Sequence, residues 1–78
     1  MSTVLRDGPY RFFWYSADRN ERPHVHVERD HDTAKFWFDT IELAENKRFS
    51  SRELRRIQAI IETHRDEWLE RWHREFGR

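Results

Sequence analysis

His24 and His26 stand two residues apart in the run His24-Val25-His26-Val27-Glu28, and this alternation is the clearest chemistry the chain offers. In an extended strand, residues at i and i+2 point the same way, about 7 Å apart. His24, His26 and Glu28 therefore share one face, and Val25 and Val27 share the other. Two imidazoles so placed can chelate Zn²⁺ or a similar divalent ion with a third ligand, for which Glu28 or Asp39 is the candidate. A second chemistry needs no metal: a carboxylate from Asp39 orients His24 as acid or base, and Lys35 stabilises a developing anion. That is the minimum machinery for cleaving a phosphodiester. A third reading is a solvated sheet face carrying a Glu28–Lys35 cross-strand pair, with no cofactor and no reaction.

A second constellation is basic. Lys47, Arg48, Arg52, Arg55 and Arg56 crowd the stretch where a helix begins. Cations at a helix N-terminus oppose the macrodipole, whereas a bound anion there would satisfy both the free N–H groups and the arginines. Phosphate is the obvious anion and RNA its carrier. The bland alternative is a solvated helix face neutralised by Glu42, Glu45 and Glu53. A third constellation, Trp68, Trp72 and Phe76, recurs at helical spacing. It reads first as core and second as a surface for a partner helix.

Composition limits what can position these groups. The 78 residues leave room for one domain, with a core near the lower limit of self-sufficiency, so a homodimer or a second small protein is a natural complement. Only 36% of the chain is apolar and 38% is charged, but six Phe, four Trp and two Tyr argue for a packed core over disorder. Fifteen basic and fifteen acidic residues cancel, which excludes binding by bulk charge and leaves only local patches. Without cysteine there is neither a disulfide framework nor a thiolate metal site. No apolar run suggests a membrane span and the N-terminus lacks a signal-peptide pattern, so a cytoplasmic address is expected.

The patterning predicts an α+β domain: a small antiparallel sheet of three to four strands over residues 1–43, then helix over 49–77 packed on one sheet face. Val4 to Arg6 reads as a strand, and Asp7-Gly8 as a turn whose tight form Pro9 disfavours. Tyr10 to Tyr15, aromatic on both faces, reads as a central strand, and Ser16 to Pro23 as a loop. The His strand then pairs with Ala34 to Asp39. In the expected register Val27 faces Phe36, Val25 faces Phe38, Glu28 faces Lys35, His26 faces Trp37 and His24 faces Asp39. Ile41 and Leu43 suggest a short edge strand. The helix start is marked by Ser50 as N-cap, Glu53 closing a capping box, and a Phe49/Leu54 staple. Gly77 is the natural stop. A single helix across this stretch is longer than so small a domain is wide, which predicts a bend or two helices breaking near Thr63 and His64.

Several segments taken together, Thr3-Val4-Leu5-Arg6, Tyr10-Arg11-Phe12-Phe13, Pro23-His24-Val25-His26-Val27-Glu28, Ala34-Lys35-Phe36-Trp37, Glu42 to Asn46, Phe49-Ser50, Glu53-Leu54 and Trp72 to Gly77, resemble the small bacterial domain-of-unknown-function family numbered 4160. Pro-His-Val-His-Val is the most specific part. The chain departs from the family pattern at Pro9 and at His64. The resemblance implies a component of a toxin–antitoxin module with a cognate small protein encoded nearby. A strand-borne His followed by a basic helix start is also similar to HicA-type mRNA interferases, which implies action on RNA, with His24 and His26 as acid/base or metal-ligand residues.

Overall fold

The sequence of short β-rich runs followed by a long amphipathic one folds, in a computed structural model that describes residues 2–77, into a five-stranded antiparallel sheet and one helix. The strands are β1 (Ser2–Asp7), β2 (Tyr10–Trp14), β3 (His24–Arg29), β4 (Asp32–Trp37) and β5 (Glu42–Lys47). They lie side by side in chain order, a simple meander. The sheet thus has five strands where three to four were expected. The fifth is β5, where Ile41 and Leu43 suggested a short edge strand; it runs instead over Glu42–Lys47, whose mostly exposed residues carry too little alternation to set its bounds.

Turn chemistry decides the connections. Asp7 pairs with Tyr10 across a two-residue turn, so the tight hairpin forms despite Pro9. Gly8 takes the positive-φ position at +57°, and the fixed φ of proline suits the position after it. Arg29 pairs with Asp32 around Asp30 and His31, with Asp30 at φ 54°. That turn sets the register: His24 faces Trp37, Val25 faces Phe36, His26 faces Lys35, Val27 faces Ala34 and Glu28 faces Thr33. The expected pairing is corrected by two residues. A shift of two keeps every side chain on its face and changes only its neighbours. Extra residues bulge β1 between Thr3 and Leu5 and β5 opposite Lys35 and Phe36.

The helix α1 runs unbroken over Ser51–Phe76, which corrects the expectation of a break or a second helix near Thr63 and His64. The Thr63 hydroxyl bonds the Ala59 carbonyl one turn back at 3.0 Å, and His64 stacks on Trp68 with ring centroids 5.4 Å apart. The helix fits because the molecule is elongated, 34 × 21 × 21 Å. Its start is as expected at Ser50, whose hydroxyl accepts the Glu53 N–H at 3.2 Å. The Glu53 carboxylate instead meets Tyr10 Oη at 3.1 Å and Arg29 at 2.7 Å, tying the helix start to the sheet. Gly77 stops the helix at φ 70°. No helix among the described residues is long and apolar enough to cross a membrane.

One sheet face and the helix make the core. Tyr10, Phe12 and Trp14 of β2, Val25 and Val27 of β3, and Ala34 and Phe36 of β4 meet Ile57, Ile61, Trp68 and Trp72. Trp68 packs 5.6 Å from Phe12, and Trp72 lies 5.1 Å from Trp14. Both indoles are sealed, at 1% and 0% exposure, so the stripe is core, as its spacing first suggested, and the second reading, a partner surface formed by Trp68 and Trp72, is corrected. The opposite sheet face carries His26, Glu28, Lys35 and Trp37 and is covered only in part.

Candidate functional site

The residues that come together on that second face are not the set the strand pattern alone suggests. Ser16–Asn20 after β2 forms a 3-10 turn rather than an irregular loop. Within it the Asp18 N–H donates to the Tyr15 carbonyl at 3.0 Å, while the Tyr15 N–H donates to Asp18 Oδ2 at 2.8 Å. This reciprocal lock aims the Asp18 carboxylate at the start of β3. Its Oδ2 lies 3.1 Å from His24 Nε2 and 3.3 Å from His26 Nε2. Asp18, His24 and His26 offer ligand atoms that all fall within 4.8 Å of one another.

Each member has a distinct environment. His24 is fully buried, its ring between Trp37 at 5.5 Å and Trp72 at 5.5 Å, perpendicular to His26 at 5.2 Å. Its Nδ1 meets the Arg22 carbonyl at 2.9 Å. A carbonyl can only accept, so Nδ1 carries the proton. Although Nε2 is 3.1 Å from Asp18, it has no hydrogen-bond partner, because the ring direction misses the oxygen. The approach is proximity and not a hydrogen bond. His26, by contrast, meets Asp18 within hydrogen-bond geometry and keeps 25% of its side chain exposed.

Burial lowers the His26 pKa from its ordinary value, and the Asp18 charge only partly reverses this, so the imidazole is neutral at pH 7. Burial would raise the Asp18 carboxyl, but the Tyr15 N–H and the imidazoles outweigh it and hold the pKa below the usual carboxylate value. A neutral imidazole beside an anionic carboxylate is a base or a ligand, not an acid.

The other expected participants are placed elsewhere. Glu28 is drawn to Arg11 at 2.6 Å and lies outside the convergent group, so the His24–His26–Glu28 ligand set is corrected to one with Asp18. Asp39 is engaged by Arg22 at 2.9 Å and by the Thr40 N–H at 3.0 Å, and the register gives His24 Trp37 as its neighbour instead; the His24–Asp39 dyad does not form. Lys35 does stand opposite His26, but its ammonium pairs with Glu21 at 3.0 Å and sits 4.6 Å above the Trp37 ring. Asp18 escaped the sequence reading because a polar loop gives no periodicity to place it. The one available signal was an aspartate three residues beyond a strand-ending tyrosine, the spacing of a turn cap.

Beside His26 the face opens into a groove of about 250 Å³ lined by Tyr15, His26, Thr33, Ala34, Lys35, Glu45 and Lys47. Tyr15 is 44% exposed and packs edge-on to Phe13 at 5.5 Å. Phe13 in turn stacks on His26 at 5.4 Å, beneath the Arg11 guanidinium at 4.2 Å. Lys47, Arg48, Arg52, Arg55 and Arg56 are all exposed, and no ion pair engages them among the described residues. The family model described as "Domain of unknown function (DUF4160)" matches residues 10–73. No curated protein and no solved structure matches the chain.

Proposed function

The chain belongs to the DUF4160 family, and from that premise we propose that it binds single-stranded RNA along the open sheet face and the helix start. The observation that carries this reading is the position of Lys47, which lines the groove beside His26 and Tyr15 and also begins the run of unpaired cations Arg48, Arg52, Arg55 and Arg56. A stacking surface thus adjoins a phosphate-binding strip. Single strands are held in this way, with bases on aromatic rings and backbone on basic side chains. The exposed Tyr15 ring is the platform, and Lys47 with the helix-start arginines takes the phosphates. In a toxin–antitoxin pair such a surface suits the half that meets RNA.

Binding fits the geometry better than metal-free cleavage. Two imidazoles working as base and acid must both touch the substrate, and His24 has no exposed surface. Only His26 reaches the groove.

Fluorescence anisotropy with a short single-stranded RNA tests the reading. Tyr15→Ala should weaken binding by roughly 1–3 kcal/mol, the usual contribution of one base stacked on an aromatic ring. Lys47→Ala should flatten the salt dependence by close to one phosphate contact. Absence of binding by the wild-type protein, or binding by both variants equal to that of the wild type, would overturn it.

A further inference from the structure

We propose that Asp18, His24 and His26 form a site for one divalent first-row transition-metal ion, with Zn²⁺ the best-matched species. The proposal is independent of RNA binding, since it concerns atoms that meet whether or not the groove is filled.

Three observations carry it. The first is spacing. Around a tetrahedral ion with bonds of about 2.0–2.1 Å, neighbouring ligand atoms stand about 3.3–3.4 Å apart. Asp18 Oδ2 approaches the two Nε2 atoms at 3.1 and 3.3 Å, with all three ligand atoms inside 4.8 Å. Both carboxylate–imidazole spacings already match; the imidazole–imidazole spacing, within 4.8 Å, closes by movement of His26, the exposed member.

The second is the His24 ring. Because Nδ1 donates to the Arg22 carbonyl, Nε2 is the nitrogen left for a ligand, and it is fully buried, without a hydrogen-bond partner and 3.1 Å from a carboxylate oxygen. A buried nitrogen without a partner is costly, and its approach to the carboxylate does not satisfy it. A cation shared with Asp18 and His26 gives that nitrogen a partner.

The third is the surrounding shell. Metal-bound histidines are typically fixed by donation from their other nitrogen to a carbonyl or carboxylate, and ligating carboxylates are themselves hydrogen-bonded. His24 donates to Arg22, and Asp18 is held by the Tyr15 N–H. Trp37 and Trp72 press on His24 and exclude water from its side. Two imidazoles and one carboxylate suit Zn²⁺, Co²⁺, Ni²⁺ or Fe²⁺ and not Ca²⁺ or Mg²⁺, which take oxygen ligands. With three protein ligands, a fourth position remains for solvent or a groove ligand on the exposed His26 side.

Isothermal titration of chelator-treated full-length protein with Zn²⁺ alone is the test. One equivalent should bind, and the thermal midpoint should rise with metal. Asp18→Ala and His26→Ala, with their fold checked by circular dichroism, should each weaken binding more than tenfold. His31→Ala and His73→Ala, at exposed positions, should leave it unchanged. Should the ligand variants fail to fold, Co²⁺-loaded wild-type protein still decides the matter by visible d–d bands that Zn²⁺ displaces. No stoichiometric binding, binding that survives loss of both Asp18 and His26, or binding lost with His31 or His73 would overturn the proposal. Because no RNA is present in these measurements, their failure leaves the RNA reading to its own test.

Discussion

Asp18 and Asp39 illustrate how differently two carboxylates of one chain can be used. Asp18 is 9% exposed and accepts the Tyr15 N–H and His26, so removing it leaves a part-buried donor and its ring partner without it. Asp39 meets Arg22 where solvent screens both. Asp18→Ala should therefore cost about 1–3 kcal/mol in urea unfolding, the usual penalty for an unsatisfied buried group, while Asp39→Ala moves the midpoint little. Tyr10 gives a pH-dependent counterpart. Burial, reinforced by the hydrogen bond to and negative charge of Glu53, raises its phenol above the ordinary 10.0. The unfolded chain then ionises first as pH rises. The stability from this group is complete below about pH 10 and is lost as pH climbs through the raised folded value. Unfolding free energies measured on both sides of that range should show a steeper alkaline decline in wild type than in Tyr10→Phe.

At the scale of elements, the turn after β1 and the long helix each rest on a few residues. Gly8 sits at φ 57° with open space around an added Cβ, so Gly8→Ala meets no clash and only the cost of a left-handed backbone. A loss of about 1 kcal/mol in thermal or urea unfolding is expected. Trp72→Ala removes a side chain at 0% exposure that touches Trp14, Phe38, His24 and Phe76. About 3–5 kcal/mol should be lost, a large share of the stability of any small domain, and circular dichroism melts would report it. Both helix ends were legible in the sequence because Ser50 and Glu53 at the start and Gly77 at the stop act through local geometry. The helix's uninterrupted course was not, because the length of the sheet beneath it is a tertiary quantity. The β3–β4 register was readable only to within two residues: alternation fixes the face, and the turn fixes the neighbour.

For the whole molecule, charge balance makes a quantitative statement about binding. Since 15 basic and 15 acidic residues cancel, any RNA affinity must come from the local strip Lys47 to Arg56. With five unpaired cations there and a release of about 0.7 counterion per contact on single strands, log affinity should fall against log salt with a slope no steeper than about −3.5. Anisotropy titrations across a salt series would measure it, and a much steeper slope would point to a wider footprint than this strip.

By itself the sequence determined the fold class, the helix boundaries, the shared facing of His24 and His26, and the basic crowding at the helix start. Each of these follows from periodicity or from contacts within a few residues, which local sterics and hydrogen bonding enforce. The tertiary structure alone decided that Asp18 joins the histidines in place of Glu28 or Asp39, that His24 is sealed while His26 stays open, and that one unbroken helix covers the sheet. Those outcomes depend on where a polar turn folds back and on which aromatic rings the helix lays over the sheet, arrangements fixed by long-range packing that leave no period in the chain.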